Sequence, residues 1–200
     1  MPQSDLDLVL ADLRDAFKAL DQARPSPKQV RQTFSRFVEL TQRLTAVMRR
    51  ESKKSAGIKW EASKFAGWSE VTTLFKDLRN EEQHERQIRI LVHETRYFEP
   101  LGPEGERIGV SGTWDLTDQL AENPPDGLRL LEADPVTGAP TDNHIPHCDV
   151  LYRYLIKPSD GALALRLGRI GTADVHDLSR RLPDHTGKLP CVLLSASRRR

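Results

Sequence analysis

The sequence predicts an α+β chain, with an antiparallel helical bundle over residues 1–90 and a smaller β-rich half over 91–200. Three observations predict it. Apolar residues recur three and four apart from Leu6 to about Arg86, the repeat of helices with one buried stripe. Near Ile88 the period drops to two, with Ile88, Ile90 and Val92 alternating with Arg89, Leu91 and His93. Beyond that point, stretches rich in Pro, Gly and Asp cut the chain into short segments. Helices first, then strands with one helix, is an α+β order or a pair of domains.

The first helix is expected over residues 5–23, where Leu6, Leu10, Leu13, Phe17 and Leu20 form one stripe. Ser4 suits its N-cap, and Asp7 suits the positive end of its dipole. Pro25 and Pro27 interrupt the chain. Ser26-Pro27-Lys28-Gln29 then restarts a helix, with Ser at the cap, Pro at the first helical position and Gln at the capping-box position. This second helix is expected to run to about Glu51, with Val30, Phe34, Phe37, Leu40, Leu44, Val47 and Met48 inward. Arg31, Arg36, Gln42, Arg43 and Arg49 fall on its other face. Ser52 to Gly57 reads as a basic loop. A third helix is expected over roughly Glu61 to Arg86, with Phe65, Trp68, Val71, Thr72, Phe75 and Leu78 repeating at three and four. Trp60 and Trp68 are the large apolar bodies of this half and read as core or dimer seam. Short connections between the three helices predict an antiparallel bundle.

In the second half, a strand is expected from Ile88 to about Phe98 and a hairpin partner around Ile108 to Trp114, across turn chemistry at Leu101–Gly109. Asn123–Gly127 is a loop, and Leu128–Leu131 a short apolar piece. Ala133 to Pro146 has no periodicity and reads as a long loop. Val150–Ile156 carries the strongest strand signal, with Val150, Tyr152, Tyr154 and Ile156 on one face. Pro158–Gly161 turns the chain, and Ala162–Leu167 is expected to return as a strand. A helix capped by Thr172 and running to Leu182, and a final strand at Val192–Leu194, complete the reading.

Composition narrows the function classes. The 30 basic and 29 acidic residues leave a formal net charge of +1, so any polyanion must be held by a local patch. That balance, with no recognition-helix signature, disfavours sequence-specific DNA binding. The terminal Ser197–Arg200 is one basic patch and reads as a solvated tail. Cys148 and Cys191 have no metal-ligand spacing, and a reducing compartment is the simpler expectation. No apolar run approaches the ~20 residues of a membrane span, and the N-terminus lacks a secretory pattern. A cytoplasmic protein without membrane contact is expected.

The stretch Phe75–Glu85, FKDLRNEEQHE, carries the chemistry. Cleaving RNA without a metal requires a base for the ribose 2′-hydroxyl, an acid for the leaving 5′-oxygen and donors for the charge that builds on phosphorus. Histidine titrates near neutrality and suits proton transfer. Arginine stays charged and grips phosphate with a planar fork. Arg79 and His84 are these groups, and Asn80 can orient His84 or donate to phosphate. On one helix Asn80 and His84 share a face, whereas Arg79 and His84 are about 140° apart. A two-fold dimer removes the difficulty by joining two copies at one cleft. The looser spacing of Arg and His recurs at Arg86/His93, Arg169/His176 and Arg180/His185, but Asn follows the Arg only at Arg79.

With its leading amphipathic helices, the segment LFKDLRNEEQHE resembles the signature of HEPN domains: an Arg, a polar residue (often Asn), and a His four to six positions after the Arg. The resemblance covers at most residues 5–90. It implies a dimeric helical bundle and a metal-independent endoribonuclease of toxin–antitoxin, abortive-infection or CRISPR-linked defence type. Arg79, Asn80 and His84 would be its catalytic set, with no cofactor. It also implies RNA as substrate, a homodimer, and an antitoxin or defence-complex partner for the C-terminal half.

Other constellations carry less. His144, His147, Cys148 and Asp149 are clustered metal-capable groups, but four ligands so close together in a loop do not easily close a tetrahedron. Asp174, His176, Asp177 and His185 read as exposed polar decoration. Arg79 can alternatively form helical ion pairs with Glu82 or Glu85, leaving His84 a surface residue. The reading from a different class is a noncatalytic interaction protein, with a helical dimer seam and a sheet that docks a partner.

Overall fold

The computed structural model describes residues 4–56, 68–83, 88–98, 107–116 and 130–186. Its fold is α+β, with three helices leading and the strands following. Helix α1 (Asp5–Gln22) starts at the reciprocal cap that the sequence encodes: Asp7 N–H donates to Ser4 Oγ at 3.1 Å, and Ser4 N–H donates to Asp7 Oδ2 at 3.3 Å. Helix α2 (Pro27–Ala56) is one turn longer than expected, because the basic Ser52–Ala56 stretch continues the helix. Lysines there suit the negative end of the dipole, and nothing in Ser-Lys-Lys-Ser-Ala breaks a helix. Arg43 pairs with Asp12 at 3.2 Å and Arg50 with Asp5 at 2.9 Å, so the two helices run antiparallel.

Helix α3 (Glu70–Gln83) lies on α2 through Phe75, whose ring meets those of Phe34 and Phe37 at centroid distances of 6.2 and 5.5 Å. The sequence predicts a helix already under way at Trp68. Instead Trp68 and Ser69 lie outside it and form its cap, described below. Phe65 and Trp60 are outside the described residues.

Strands β1 (Ile90–Phe98) and β2 (Ile108–Asp115) form the expected antiparallel hairpin. Strands β3 (Leu130–Ala133) and β4 (Pro140–Ile145) form a separate two-stranded hairpin where a long loop was expected. Its turn is built by Asp134, whose Oδ1 accepts from Val136 N–H at 2.9 Å and Thr137 N–H at 2.8 Å, and by Gly138 at φ +69°. Those donors, Thr137 first, hold the Asp134 carboxyl below its usual range. The strand signal was missing because this hairpin is exposed along most of both faces, so no alternation is selected. Strand β5 (His147–Ile156) pairs with β1, giving the sheet order β2-β1-β5.

The largest correction is at residues 162–167. They belong to helix α4 (Gly161–Ile170), not to a returning strand. The alternation Ala-Leu-Ala-Leu imitates a strand, yet the residues are strong helix formers with no β-branching before Ile170. Asp160 caps the helix by accepting from Leu163 N–H at 2.8 Å, and Gly171 ends it at φ +79°. Helix α5 (Val175–Thr186) follows, capped by Asp174 rather than Thr172: Asp174 Oδ1 accepts from the N–H groups of His176 and Asp177 at 2.9 and 3.0 Å. The expected strand at Val192–Leu194 lies outside the described residues.

The buried residues form one cluster running from Val9 on α1 through Phe37, Leu74, Val92, Tyr154 and Leu167 to Leu182 on α5. It therefore crosses residue 90, with helices α4 and α5 of the second half packed on the bundle. The inner face of β5 carries Tyr154 and Ile156, as the alternation predicts. On the same face of β1, Glu94 is 1% exposed, and both its oxygens are satisfied, by Arg96 Nε at 2.5 Å and Trp114 Nε1 at 3.1 Å.

Candidate functional site

Helix α3 positions the site, and its start is tightly specified. Ser69 N–H donates to Thr72 Oγ1 at 2.7 Å and Thr72 N–H returns to Ser69 Oγ at 3.4 Å, a capping box with Thr in the third position. Trp68, just before the cap, bends its indole over the first turn and donates from Nε1 to Thr73 Oγ1 at 2.9 Å. The indole is thus held in place beside α3.

The charges of α3 are sorted between two faces. Toward α4 lie acids. Arg166 reaches Glu70 at 3.6 Å and Asp77 at 3.3 Å, Arg169 reaches Glu70 at 3.6 Å, and Ser159 Oγ bonds to Glu81. On the other face, Thr72, Phe75, Lys76, Arg79 and Asn80 follow the spacing i, i+3, i+4, i+7, i+8 of a single helical stripe. That stripe borders a cavity of about 200 Å³. The facing wall is α2, with Thr41, Thr45, Met48 and Arg49 at the same spacing, and Leu182 of α5 contributes from below.

The character of the walls follows from their hydrogen bonds. Thr41 Oγ1 donates to Val38 O at 2.7 Å, Thr45 Oγ1 to Thr41 O at 3.0 Å and Thr72 Oγ1 to Ser69 O at 3.1 Å. Their hydroxyls are committed to main chain. With Leu44, Met48, Phe75 and Leu182 they make a largely apolar chamber. Among the described residues, every charged group bordering it is cationic: Arg49, Lys76 and Arg79. In a chain of net charge +1, Lys76 and Arg79 concentrate positive charge along this border, where an anion can be held.

Of the sequence-derived set, Arg79 and Asn80 both border the cavity, Arg79 half-buried and Asn80 exposed. His84 lies outside the described residues, as do the side chains of Glu82 and Glu85. Sequence reasoning missed Lys76, Arg49 and Gln42 as neighbours of the motif and read Trp68 as core or dimer seam. Lys76 was legible, three and four positions before Arg79 and Asn80. Arg49 and Gln42 were not, because only the packing of α2 on α3 brings them there.

The metal-capable residues do not gather. His144 is on β4, whereas His147, Cys148 and Asp149 are on β5, where Cys148 Sγ–H donates to Tyr97 O at 3.2 Å. No group of three or more His, Cys, Asp or Glu side chains suited to a metal occurs among the described residues. His176 corrects an expectation. It is 1% exposed, its ring edge-on to Tyr154 at 5.7 Å, and among the described residues neither ring nitrogen has a hydrogen-bond partner; the neighbouring Ser179 hydroxyl likewise has none among them. Helix α5 packs against α1, α3 and β5, so its buried face is wider than the Val175, Leu178, Leu182 stripe predicted. Asp177 is exposed as expected, Asp174 is the cap, and the His185 side chain is outside the described residues. Burial, reinforced by the positive charge of Arg24, lowers the His176 pKa, against the weaker pull of Asp174 and Asp21.

No helix among the described residues is long and apolar enough to cross a membrane. The chain matches no protein-family model, no curated protein and no solved structure.

Proposed function

We propose that this chain is a metal-independent endoribonuclease of HEPN type that acts as a homodimer, with Arg79, Asn80 and His84 as its working residues. One observation carries the reading: α3 turns Arg79 and Asn80 onto a cavity that Lys76 also borders, and among the described residues no acidic group borders it. Such a patch suits a phosphodiester, and Arg79 offers the fork that grips it.

In the proposed reaction the ribose 2′-oxygen attacks phosphorus and the bond to the 5′-oxygen breaks. The products are a 2′,3′-cyclic phosphate and a free 5′-hydroxyl. Arg79 stabilises the extra negative charge on the phosphoryl oxygens, and Asn80 donates to phosphate or orients the imidazole. His84 transfers protons, and two copies, one from each subunit, take the base and acid roles. The C-terminal half recognises substrate, trigger or an antitoxin-like partner.

The test is RNA cleavage by the purified chain in a chelating buffer, with circular dichroism to verify folding. Arg79→Ala and His84→Ala each abolish cutting while leaving the fold intact. Cutting that persists in the double variant rejects the assignment. An inactive wild-type chain whose assembly depends on Trp68 and Phe75, but not on His84, is instead a noncatalytic oligomerising protein.

A further inference from the structure

We infer that the outer edge of β5 is a self-complementary docking strand, along which a second copy of this chain lays its own β5 antiparallel about a two-fold axis at Leu151. The inference rests on the homodimer of the reading above and says where the copies meet, without drawing on the nuclease chemistry. The phase of the strand comes first. Lys157 N–H donates to Arg89 O at 2.9 Å, so from Asp149 onward the odd-numbered residues turn their main-chain groups to β1 and the even-numbered ones turn theirs outward. At the C-terminal end that outer edge is taken: Ile156 N–H donates to Ala173 O at 2.9 Å, and Leu155 bridges Asp174. At Val150 and Tyr152, no strand among the described residues pairs with it, and the β3–β4 hairpin forms a sheet of its own. Val150 N–H donates instead to the carboxylate of its own neighbour, Asp149 Oδ1, at 2.9 Å. An edge with open main-chain groups is a template for another strand.

Side chains select the partner. Tyr154 and Ile156 point into the core, so Asp149, Leu151 and Arg153 stand on the other face of the sheet. All three are exposed, Leu151 by 52%, and among the described residues no acid pairs with Arg153. In an antiparallel pair centred on Leu151, the leucines of the two copies meet at the axis. Asp149 of each copy then falls opposite Arg153 of the other, an opposite-charge pair on either side of the axis. Val150 and Tyr152 of opposite copies exchange their outward main-chain hydrogen bonds. The leucines occupy the site between those bonds, where side chains approach most closely. A two-fold contact demands that one surface complement itself, and the order Asp-Leu-Leu-Tyr-Arg is not needed here for a foreign strand but reads correctly against its own reverse once the alternate residues are taken: acid, leucine, base.

The experiment is sedimentation velocity of the full chain over a concentration series at low salt, with circular dichroism to verify the fold of each variant. The parent is expected to dimerise. Asp149→Arg and Arg153→Asp each set like charges opposite one another on both sides of the axis and should weaken the dimer about tenfold or more. Combined in one chain, the two substitutions face opposite charges again and should recover the parent's affinity. In a Cys148→Ser/Cys191→Ser background, Leu151→Cys should give a disulfide-linked dimer on oxidation, whereas Arg153→Cys, displaced from the axis, should not. A dimer that neither single substitution weakens overturns the seam, and so does one that the combined chain fails to restore. A monomeric parent overturns the seam and the homodimer together. RNA cleavage on the same samples keeps the readings apart: a cutting dimer indifferent to these changes joins elsewhere, and a dimer joined through β5 that does not cut sinks the nuclease alone.

Discussion

The hydroxyl of Tyr154, on β5, donates a 2.7 Å hydrogen bond to the main-chain carbonyl of Arg24, just past the end of the first helix and 130 positions away. This bond ties the sheet to the helical hairpin within the shared core. Burial, with the nearby Tyr152 and Glu94 adding to it, pushes the Tyr154 pKa well above its ordinary value, so the hydroxyl keeps its proton. Tyr154→Phe keeps the ring and strands the Arg24 carbonyl. It should cost about 1–2 kcal/mol of stability, read as a lower urea midpoint at unchanged slope.

The same ring touches His176, and this contact makes stability depend on pH. The folded-state pKa of His176 is lowered from about 6.5, first by burial and then by Arg24. The groups facing it are Asp21 and Arg24 from the α1 end, Tyr154 from β5, and Asp174 and Arg180 from its own segment. With a depressed folded pKa, the neutral ring's contribution is complete above about pH 6.5 and declines as acid protonates the unfolded chain first. Urea midpoints should therefore fall between pH 7.5 and 5. His176→Phe, which preserves an aromatic pair with Tyr154, should flatten that decline relative to the parent.

Arg166 holds α3 from the side opposite the cavity, reaching both Glu70 and Asp77 while half-buried. Arg166→Ala should cost on the order of 1 kcal/mol, more than an exposed ion pair gives. A double-mutant cycle with Asp77→Asn should return a coupling of about 0.5–1 kcal/mol. A coupling of zero would mean that the pair does not hold the helix.

Helix α4 is checked at its two ends. Asp160→Ala removes the acceptor for Leu163 N–H and should cost about 1 kcal/mol. Gly171→Ala places a side chain at φ +79° and should cost a similar ~1 kcal/mol, although no atom lies within 4 Å of the added carbon. A returning strand would show neither loss, so thermal melts of the two variants distinguish the architectures.

The proposed binding of single-stranded RNA should weaken with salt according to the cations engaged. Two contacts, from Lys76 and Arg79, give a slope of about −1.4 for log K against log salt. Arg79→Ala should make the slope shallower by about 0.7. An unchanged slope would place the RNA elsewhere on the surface.

Much of this was written locally and could be read locally. Ser4 with Asp7, the stripe from Val30 to Met48, the β1–β2 hairpin and the inward face of β5 rest on caps and periods that neighbouring residues set among themselves. Misreadings arose where two local signals competed. In residues 162–167 alternation outweighed the caps Asp160 and Gly171, and across 133–146 an exposed hairpin had no buried face to imprint a pattern.

What the sequence determined by itself is therefore the α+β class, the starts of the first two helices and the presence of Arg79 and Asn80 on a helix that also carries Lys76. Tertiary structure alone decided that His176 is enclosed, that acids and cations on α3 face different neighbours, and that Arg49, Gln42 and Trp68 surround the cavity with the motif. The reason is range. Caps and periodicity act over a few residues, whereas burial and a shared electrostatic patch depend on which surfaces meet after the chain has folded back on itself.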